Sequence, residues 1–471
     1  EAWLRTRLMH SYINRPYRYL LNENAGDIIN VAGIYTNTFQ SSVLMQGIKL
    51  ISELIVITII MIFLAFNNLK SVLAVVVIFV IFFITYNFFV KKIITEAGHI
   101  SNRFYGSIIT SMNEAILSIK EIKIFNKSDH FVNKVIENTQ TVNRARFIQD
   151  ALKLIPRQSI ELMIILIVMI ASYFYLNYSD FSNNEFIVLL TMFAAAGFRL
   201  MPALTQSITS INSLRSSKSV VEDVYKALLF LEETKIKEIN DDQIYRNNND
   251  WKGKISIRNL SYRYSSSGQY VIKNLHLDIK KGDCIGIVGS SGAGKTTLIN
   301  ILLGLLDFEQ GEIYLDDNKF NNKSPLQKLT SYIPQNIYLL DDTIKRNITF
   351  ETDEDKIDLN LLSHVIENAQ LEKFINSQKD KINSVIGENG VKISGGQRQR
   401  IAIARALYFK RDIIILDEAT SALDNETEKD IVDSINKLKR DKTIIVIAHR
   451  LSTLKYCDKI FNLKDGSLSL K

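Results

Sequence analysis

Apolar residues are distributed unevenly along the 471-residue chain. The first half contains stretches with few charges, and each is about as long as the ~20-residue helix that crosses a bilayer. These stretches are residues 43–66, 71–90, 157–177 and 186–214. We predict that all four are membrane spans. The alternative, buried helices of a soluble protein, is disfavoured because residues 71–90 carry no charge at all.

The distribution of basic residues predicts the orientation of these spans. Residues 91–153 are helical in pattern and rich in Lys and Arg, whereas the short loops 67–70 and 178–184 contain one basic residue, Lys70. Cytoplasmic segments of membrane proteins carry the excess of positive charge. The predicted cytoplasmic segments are therefore residues 1–41, 91–157 and everything after 215.

The second half has a different pattern, in which short β-branched runs alternate with helical periodicity. The predicted strands are residues 284–288, 330–333, 413–416 and 443–447. Continuous apolar runs of this length are typical of buried strands in an α/β sheet. We predict a transmembrane domain at 1–226, a polar linker at 227–250 and an α/β domain at 251–471.

Charge and cysteine content narrow the class of protein. The net charge is +7 and the pI is about 9.0, but the basic residues flank the apolar runs, so we expect a membrane protein and no nucleic-acid partner. The two cysteines, Cys284 and Cys457, have no CxxC spacing, which predicts neither a disulfide framework nor a zinc site. Because the chain opens at Glu1 in a basic helical stretch, we expect a further N-terminal piece.

Residues 289–296, Gly-Ser-Ser-Gly-Ala-Gly-Lys-Thr, follow a predicted strand and open a predicted helix. In this context glycines allow backbone N–H groups to close on the α- and β-phosphates of a nucleotide, Lys295 reaches the β- and γ-phosphates, and Thr296 offers its hydroxyl to Mg²⁺. The alternative is a glycine-rich turn that binds nothing. The predicted nucleotide contacts here are Gly289, Ser290, Ser291, Gly292, Ala293, Gly294, Lys295, Thr296 and Thr297.

Polar residues also follow the other predicted strands. Asp417 is placed to hold Mg²⁺ through water, and Glu418 to orient or deprotonate an attacking water. The alternative for Glu418 is an acid that stabilises a helix N-terminus. His449 would reach the γ-phosphate, and the amide of Gln335 would coordinate Mg²⁺. The predicted catalytic residues are Glu418, His449 and Gln335, and the predicted metal ligands are Thr296, Gln335 and Asp417.

With these motifs in place, residues 251–471 resemble the nucleotide-binding domain of ATP-binding cassette (ABC) proteins. The matching segments are the signature loop Ile-Ser-Gly-Gly-Gln at 393–397, the D-loop at 421–424, the Q-loop at Gln335, the switch histidine His449, the adenine-stacking Tyr264 and the exporter X-loop at 385–390. Ile393 departs from the usual Leu. The resemblance implies ATP and Mg²⁺ as cofactors.

It also implies that the protein works as a homodimer. Two cassettes clamp head to tail in this family, so that the signature loop of one completes the phosphate site of the other. The residues that this implies for the second half of the site are Ser394, Gly395, Gly396, Gln397 and Asp424.

The apolar half is similar to the transmembrane domain of half-size ABC exporters, which usually have six helices. We therefore expect four of six helices here, with the first and most of the second missing. The resemblance places coupling helices near residues 24–29 and within 113–125, and it makes Glu388 of the X-loop the residue that responds to them. The alternative for 113–125 is a solvated, charged loop.

Two cations suggest the substrate. Arg199 lies inside an apolar run and Arg157 at the edge of another, and a charge at such a position is expensive unless it has a function or a partner. They would suit an anionic lipid head. The alternative is structural pairing with Glu161 or snorkelling to the interface.

Residues 198–202, Phe-Arg-Leu-Met-Pro, resemble bacterial flippases of lipid-linked oligosaccharides, although Gln206 stands where a further cation is expected. We therefore predict an ATP-driven flippase of a lipid-linked oligosaccharide in the bacterial inner membrane. The alternatives are an exporter of another amphiphile (lipid A, a drug or a peptide), a soluble ABC ATPase acting on nucleic acid, and an ATP-gated channel.

Overall fold

The computed structural model describes residues 1–21, 23–67, 69–178, 183–229, 251, 253–264, 268–316, 318–321, 325–418, 436, 438–448 and 454–471. The chain divides into two compact units. One comprises Glu1–Arg15 with Tyr19–Glu238, and the other comprises Pro16–Arg18 with Ile239–Lys471. The division falls inside the predicted linker, while the predicted domain bounds themselves stay a prediction.

The described part of the first half is helical. Its α-helices are α1 (Ala2–Ile13), α2 (Tyr17–Leu20), α3 (Ala25–Ile29), α4 (Thr36–Thr38), α5 (Met45–Asn67), α6 (Leu69–Leu117), α7 (Ile119–Ile124), α8 (Ser128–Tyr178) and α9 (Asn183–Ser216). Two π-helical segments, Asn30–Tyr35 and Phe39–Leu44, connect α3, α4 and α5. Residues 218–229 are also helical.

Helices α6 and α8 are far longer than a bilayer requires. They contain 49 and 51 residues, whereas about 20 suffice to span the hydrocarbon layer. Both therefore continue beyond their apolar stretches, and the short α7 lies between them in the chain. This confirms the predicted helical character of residues 91–153.

Among the described residues, two helical stretches are long and apolar enough to cross a membrane: Gly26–Phe66 and Val76–Leu117. Only 6% and 17% of their most apolar windows are buried, whereas the core helix of a soluble protein would be mostly buried. The other two predicted spans lie within α8 and α9. One polar chain links three of these helices, since Asn212 of α9 donates to the hydroxyl of Tyr86 of α6 (2.8 Å), which donates to the carbonyl of Leu152 of α8 (3.0 Å).

The second unit contains two sheets. The four-stranded antiparallel sheet has the order β2-β1-β4-β5, and the six-stranded sheet has the order β10-β9-β3-β8-β7-β6, with β10 its antiparallel member. The strands are β1 (Lys254–Tyr262), β2 (Ile272–Lys280), β3 (Cys284–Val288), β4 (Gln310–Leu315), β5 (Asn318–Asn321), β6 (Thr330–Ile333), β7 (Ile413–Asp417), β8 (Thr443–Ile447), β9 (Lys459–Lys464) and β10 (Ser467–Leu470). The described α-helices of this unit are α10 (Lys295–Leu302), α11 (Ile344–Thr349), α12 (Leu359–Asn368), α13 (Glu372–Ser377) and α14 (Gly395–Tyr408).

The central strands β3, β7 and β8 are largely apolar because both faces of the six-stranded sheet are buried there. On β7, Ile413 and Ile415 belong to one hydrophobic cluster, while Ile414 and Leu416 belong to a second. The strands β3, β8, β7 and β6 are parallel neighbours, so their carboxyl ends meet at one edge of the sheet, where α/β proteins bind ligands. The four predicted strands are confirmed, and β7 extends one residue further, to Asp417.

Candidate nucleotide and catalytic site

The loop between β3 and α10 has the backbone that a phosphate-binding loop requires. Gly292 and Gly294 have φ of +81° and +101°, a left-handed conformation that side chains disfavour. A Cβ on Gly289 would lie 2.5 Å from the carbonyl oxygen of Leu463. Lys295 is 8% exposed, and its Nζ donates to the carbonyls of Gly289 (2.8 Å) and Ser290 (3.1 Å). The loop thus holds an ammonium group at its centre.

Asp417, the last residue of β7, is oriented by the neighbouring strand. The Tyr332 hydroxyl of β6 donates to its Oδ2 at 3.1 Å. The pKa of Asp417 is raised, mainly by burial and also by the charge of Glu418. The Tyr332 hydrogen bond and the charge of Lys295 lower it in part. Burial and the charge of Asp417 raise the pKa of Tyr332 well above its ordinary value. Tyr332 therefore remains a neutral donor, and it holds one carboxylate oxygen in place.

Glu418 is fixed by its backbone and by one amide. Its φ is +47°, an uncommon value for a side-chain-bearing residue that is concentrated at functional sites. Its N–H donates to the carbonyl of Ile447 at the end of β8 (2.8 Å), and Gln335 Nε2 donates to its Oε2 (2.8 Å). Two predicted catalytic residues, Gln335 and Glu418, are thus brought together.

The predicted metal ligands supply oxygen donors of three kinds. Thr296 offers an exposed hydroxyl at the start of α10, Asp417 offers a carboxylate, and Gln335 offers an amide oxygen, since its nitrogen donates to Glu418. Hard oxygen donors are what Mg²⁺ prefers. The residues present therefore fit Mg²⁺, which when bound would neutralise phosphate charge.

Tyr264 lies beside the first turn of α10. Its hydroxyl is 3.1 Å from Thr297 Oγ1, and its ring packs edge-to-face against Tyr262 with centroids 5.2 Å apart. Tyr264 is 44% exposed, so part of its side chain is accessible to a ligand. Stacking on adenine stays a prediction.

The signature loop leads into α14 through a capping box. Ser394 Oγ accepts from the N–H of Gln397 (3.3 Å), and Gln397 Oε1 accepts from the N–H of Ser394 (2.9 Å). The side chain of Gln397 thus has a local structural role, while its predicted nucleotide contact is untested. The N–H groups of a first helical turn have no intrahelical acceptor, so those of Gly395 and Gly396 suit an anion.

The remaining predicted site residues lie outside the described residues or belong to the first unit. His449 and Asp424, with the rest of the D-loop, lie outside the described residues. Arg157 and Arg199 are exposed on α8 and α9. Within the part of the chain that the structure describes, neither forms an ion pair with Glu161. Snorkelling to the interface, the other alternative, is untested.

Comparison with known proteins agrees with this geometry. The family profile described as "ABC transporter transmembrane region" matches residues 1–200, and the profile described as "ABC transporter" matches residues 272–421. A solved "bacterial Atm1-family ABC exporter with ATP bound" has the same fold, with a TM-score of 0.77 and 21% identity over 99% of this chain and 81% of that one. The chain carries the two domains of an ABC exporter.

Curated proteins similar to this chain include ATP-dependent lipid A-core flippases. The protein of Pectobacterium atrosepticum is 34% identical over 77% of this chain and 61% of its own length. That of Vibrio parahaemolyticus is 40% identical over 46% of this chain and 38% of its own length. The chain therefore spans less than two thirds of the relatives that it matches.

Sequence reasoning missed Tyr332 as a site residue. It lies three positions before Gln335, on the strand that neighbours β7. The strand reads Thr-Ser-Tyr-Ile, with three hydroxyl side chains in a row, so the sequence does not single out Tyr332. The pairing of β6 with β7 does.

Tyr332→Phe tests the orientation of Asp417. One hydrogen bond contributes about 1 kcal/mol, equivalent to about a fivefold change in an equilibrium constant. We expect the Mg²⁺ concentration for half-maximal ATP hydrolysis to rise about fivefold, with the rate at saturating Mg²⁺ nearly unchanged. The matched control is Tyr338→Phe, because Tyr338 is 63% exposed. An unchanged Mg²⁺ dependence, with Mn²⁺ affinity measured by electron paramagnetic resonance also unchanged, would contradict the assignment.

Proposed function

We propose that this chain is the subunit of an ATP-driven exporter of amphiphiles in the bacterial inner membrane. The observation that carries the proposal is the meeting of Lys295, Asp417, Glu418 and Gln335 at one edge of the six-stranded sheet. A carboxylate held by an amide next to a phosphate loop suits a group that orients or deprotonates water at the γ-phosphate.

The chain supplies one phosphate loop and one signature loop. In the proposed homodimer, each signature loop closes over the nucleotide of the partner. The start of α14 is suited to this role because its capping box fixes the first turn, whose N–H groups and helix dipole attract a phosphate. Closure would be transmitted to the helices through residues 24–29 and 113–125, and hydrolysis at Glu418 would reset the dimer.

The membrane unit has features that suit an amphiphile. A cavity of about 350 Å³ lies among α5, α6, α8 and α9 and is lined by apolar side chains and Ser207. Leu200 lines this cavity, and the preceding residue, Arg199, is exposed. An apolar cavity lined by a helix that also carries a cation suits an acyl chain attached to an anionic head.

The surroundings of Gln206 suit a substrate whose head group carries hydroxyls as well as a negative charge. Its Nε2 lies 3.3 Å from Gln46 Oε1 and 3.2 Å from Ser210 Oγ, and Ser210 donates to Gln46 at 3.0 Å. The polar group found where a cation is expected is thus part of an amide and hydroxyl cluster between α5 and α9. Together with the names of the relatives, this favours a glycolipid of the lipid A type. A lipid-linked oligosaccharide shares the anionic head but has no support from the relatives.

The test is transport by the full-length protein in proteoliposomes. We expect ATP-dependent movement of a fluorescent lipid A-type glycolipid out of one leaflet, and none with Glu418→Gln. Arg199→Ala is expected to lower transport about tenfold, because a charge-assisted hydrogen bond contributes about 1.5–3 kcal/mol. Basal ATP hydrolysis should stay within about twofold, since Arg199 lies outside the nucleotide site.

Arg199→Lys, which keeps the charge, is the matched control and should transport better than Arg199→Ala. A polyprenyl-pyrophosphate oligosaccharide run in parallel separates the two lipid classes. If ATP is hydrolysed but neither lipid moves, the substrate assignment is wrong and only the proposed ATPase activity stands. An ATP-dependent ion conductance that persists in Glu418→Gln would instead favour a gated channel.

A further inference from the structure

The chain contains only two cysteines, and the fold brings them together across 173 positions. Cys284 is the first residue of β3, and Cys457 lies two residues before β9. Their Sγ atoms are 3.5 Å apart, and both are free thiols. They lie at the amino end of β3, about 16 Å along the strand from the phosphate loop at ~3.3 Å per residue.

The backbone around the two thiols is fixed by reciprocal hydrogen bonds. The N–H of Cys284 donates to Asp458 Oδ2 (2.9 Å), and the N–H of Asp458 donates to the carbonyl of Cys284 (2.7 Å). Lys439 forms an ion pair with Asp458 at 2.7 Å. Because a disulfide bond is about 2.05 Å long, the two sulfurs need to approach by only about 1.5 Å.

The two thiols differ in access. Cys284 is 3% exposed, whereas Cys457 is partly exposed, so a soluble oxidant meets Cys457 first. The hydrogen bond between the two thiols lowers the pKa of Cys284 and raises the pKa of Cys457, while burial raises and the charge of Lys439 lowers both. In the described part of the chain, no three His, Cys, Asp or Glu side chains are grouped to hold a metal, so a shared metal does not explain the pair.

We propose that Cys284 and Cys457 form a reversible redox pair that a peroxide closes into a disulfide. Cys457 first loses its proton and then attacks one peroxide oxygen; the O–O bond breaks, and the hydroxide that leaves takes up a proton to form water. Cys284 then attacks the sulfenic sulfur of Cys457, an S–S bond forms, and the S–O bond breaks with loss of a second water. A dithiol reductant reverses the reaction and is itself oxidised.

The bond would restrain the cassette at a defined place. It would join the strand that leads to the phosphate loop to the chain segment that runs from β8 past His449 to β9. Closing a loop of 173 positions stabilises the folded domain, and the midpoint of its thermal unfolding should rise by about 5–10 °C. This inference does not depend on the transported substrate or on ATP hydrolysis.

The experiment uses the full chain in detergent, purified under reducing conditions, freed of reductant and exposed to hydrogen peroxide. Digestion without reduction should give one cross-linked peptide that contains Cys284 and Cys457. Titratable thiols in the denatured protein should fall from two to near zero, and dithiothreitol should restore them. Cys284→Ala and Cys457→Ala should each give no cross-linked peptide and no rise in the thermal midpoint.

Peroxide treatment of the urea-unfolded chain is the control for proximity. The fold should accelerate closure at least about tenfold, because it raises the effective concentration of one thiol near the other. The proposal is overturned if both thiols stay titratable, if Cys457 stops at a sulfinic acid with Cys284 free, or if cross-links form only between chains.

Discussion

Glu418→Gln is expected to lower steady-state ATP hydrolysis at least about a hundredfold, because a positioned general base contributes ~10²–10⁴-fold. Nucleotide binding should remain within about twofold of the unmodified chain, because Lys295 and the phosphate loop are unchanged. The side chain keeps its size, and its amide oxygen still accepts from Gln335 Nε2, which lies 2.8 Å from Glu418 Oε2. The substitution therefore removes the carboxylate and leaves its support in place.

Two measurements separate binding from turnover. ATP binding is followed by a fluorescent nucleotide analogue, and turnover by phosphate release. The matched control is Glu367→Gln, the same change at an exposed position of α12, which should leave both quantities unchanged. Hydrolysis within tenfold of normal in Glu418→Gln would show that another group activates the water. Loss of binding would show instead that the substitution disturbs the loop.

The phosphate loop could be predicted from the sequence because its parts are contiguous. Residues 289–296 contain the glycines and the lysine, and the preceding apolar run 284–288 fixes the strand that leads into it. The strands were predictable for a related reason. A fully buried strand needs apolar residues on both faces, so β3 and β8 have the predicted bounds.

Contacts between distant segments could not be predicted in the same way. Gln335 and Glu418 are 83 positions apart and meet because β6 pairs with β7, and no local pattern encodes the order of strands. The same holds for Cys284 and Cys457. Because they lack CxxC spacing, the sequence predicted no disulfide framework. Sequence spacing cannot reveal a contact between two residues that the fold brings together from distant segments.

Helix boundaries in the membrane unit were the weakest part of the prediction. The apolar run beginning at residue 43 marks where hydrocarbon contact would begin, but the helical stretch begins at Gly26 and passes through two π-helical segments. An apolar run shows which part of a helix contacts the lipid, but it does not show where the helix begins or ends. Conversely, the apolar run 71–90 is only part of α6, which continues to Leu117.

Gly395→Asp is expected to abolish ATP hydrolysis while leaving the fold and ATP binding of the chain intact. A Cβ at this position meets no heavy atom within 4 Å, and an acid in the first turn of a helix is favourable. A defect in turnover would therefore come from the partner's nucleotide. Two like charges about 4 Å apart cost about 4 kcal/mol at an effective dielectric constant of about 20, enough for a loss of a hundredfold or more. Gly395→Asn, of the same shape without the charge, should lose less.

Mixing two inactive chains tests the head-to-tail dimer directly. A Lys295→Ala chain lacks a working phosphate loop but has an intact signature loop, and a Gly395→Asp chain has the converse defect. In a head-to-tail pair, one site combines both defects and the other combines both intact loops, so co-expression with two affinity tags should restore up to about half of the normal rate per dimer. If each chain hydrolyses ATP with its own signature loop, every mixed dimer stays inactive. Recovery in the mixture therefore requires the loops to act across the dimer, because neither chain supplies both.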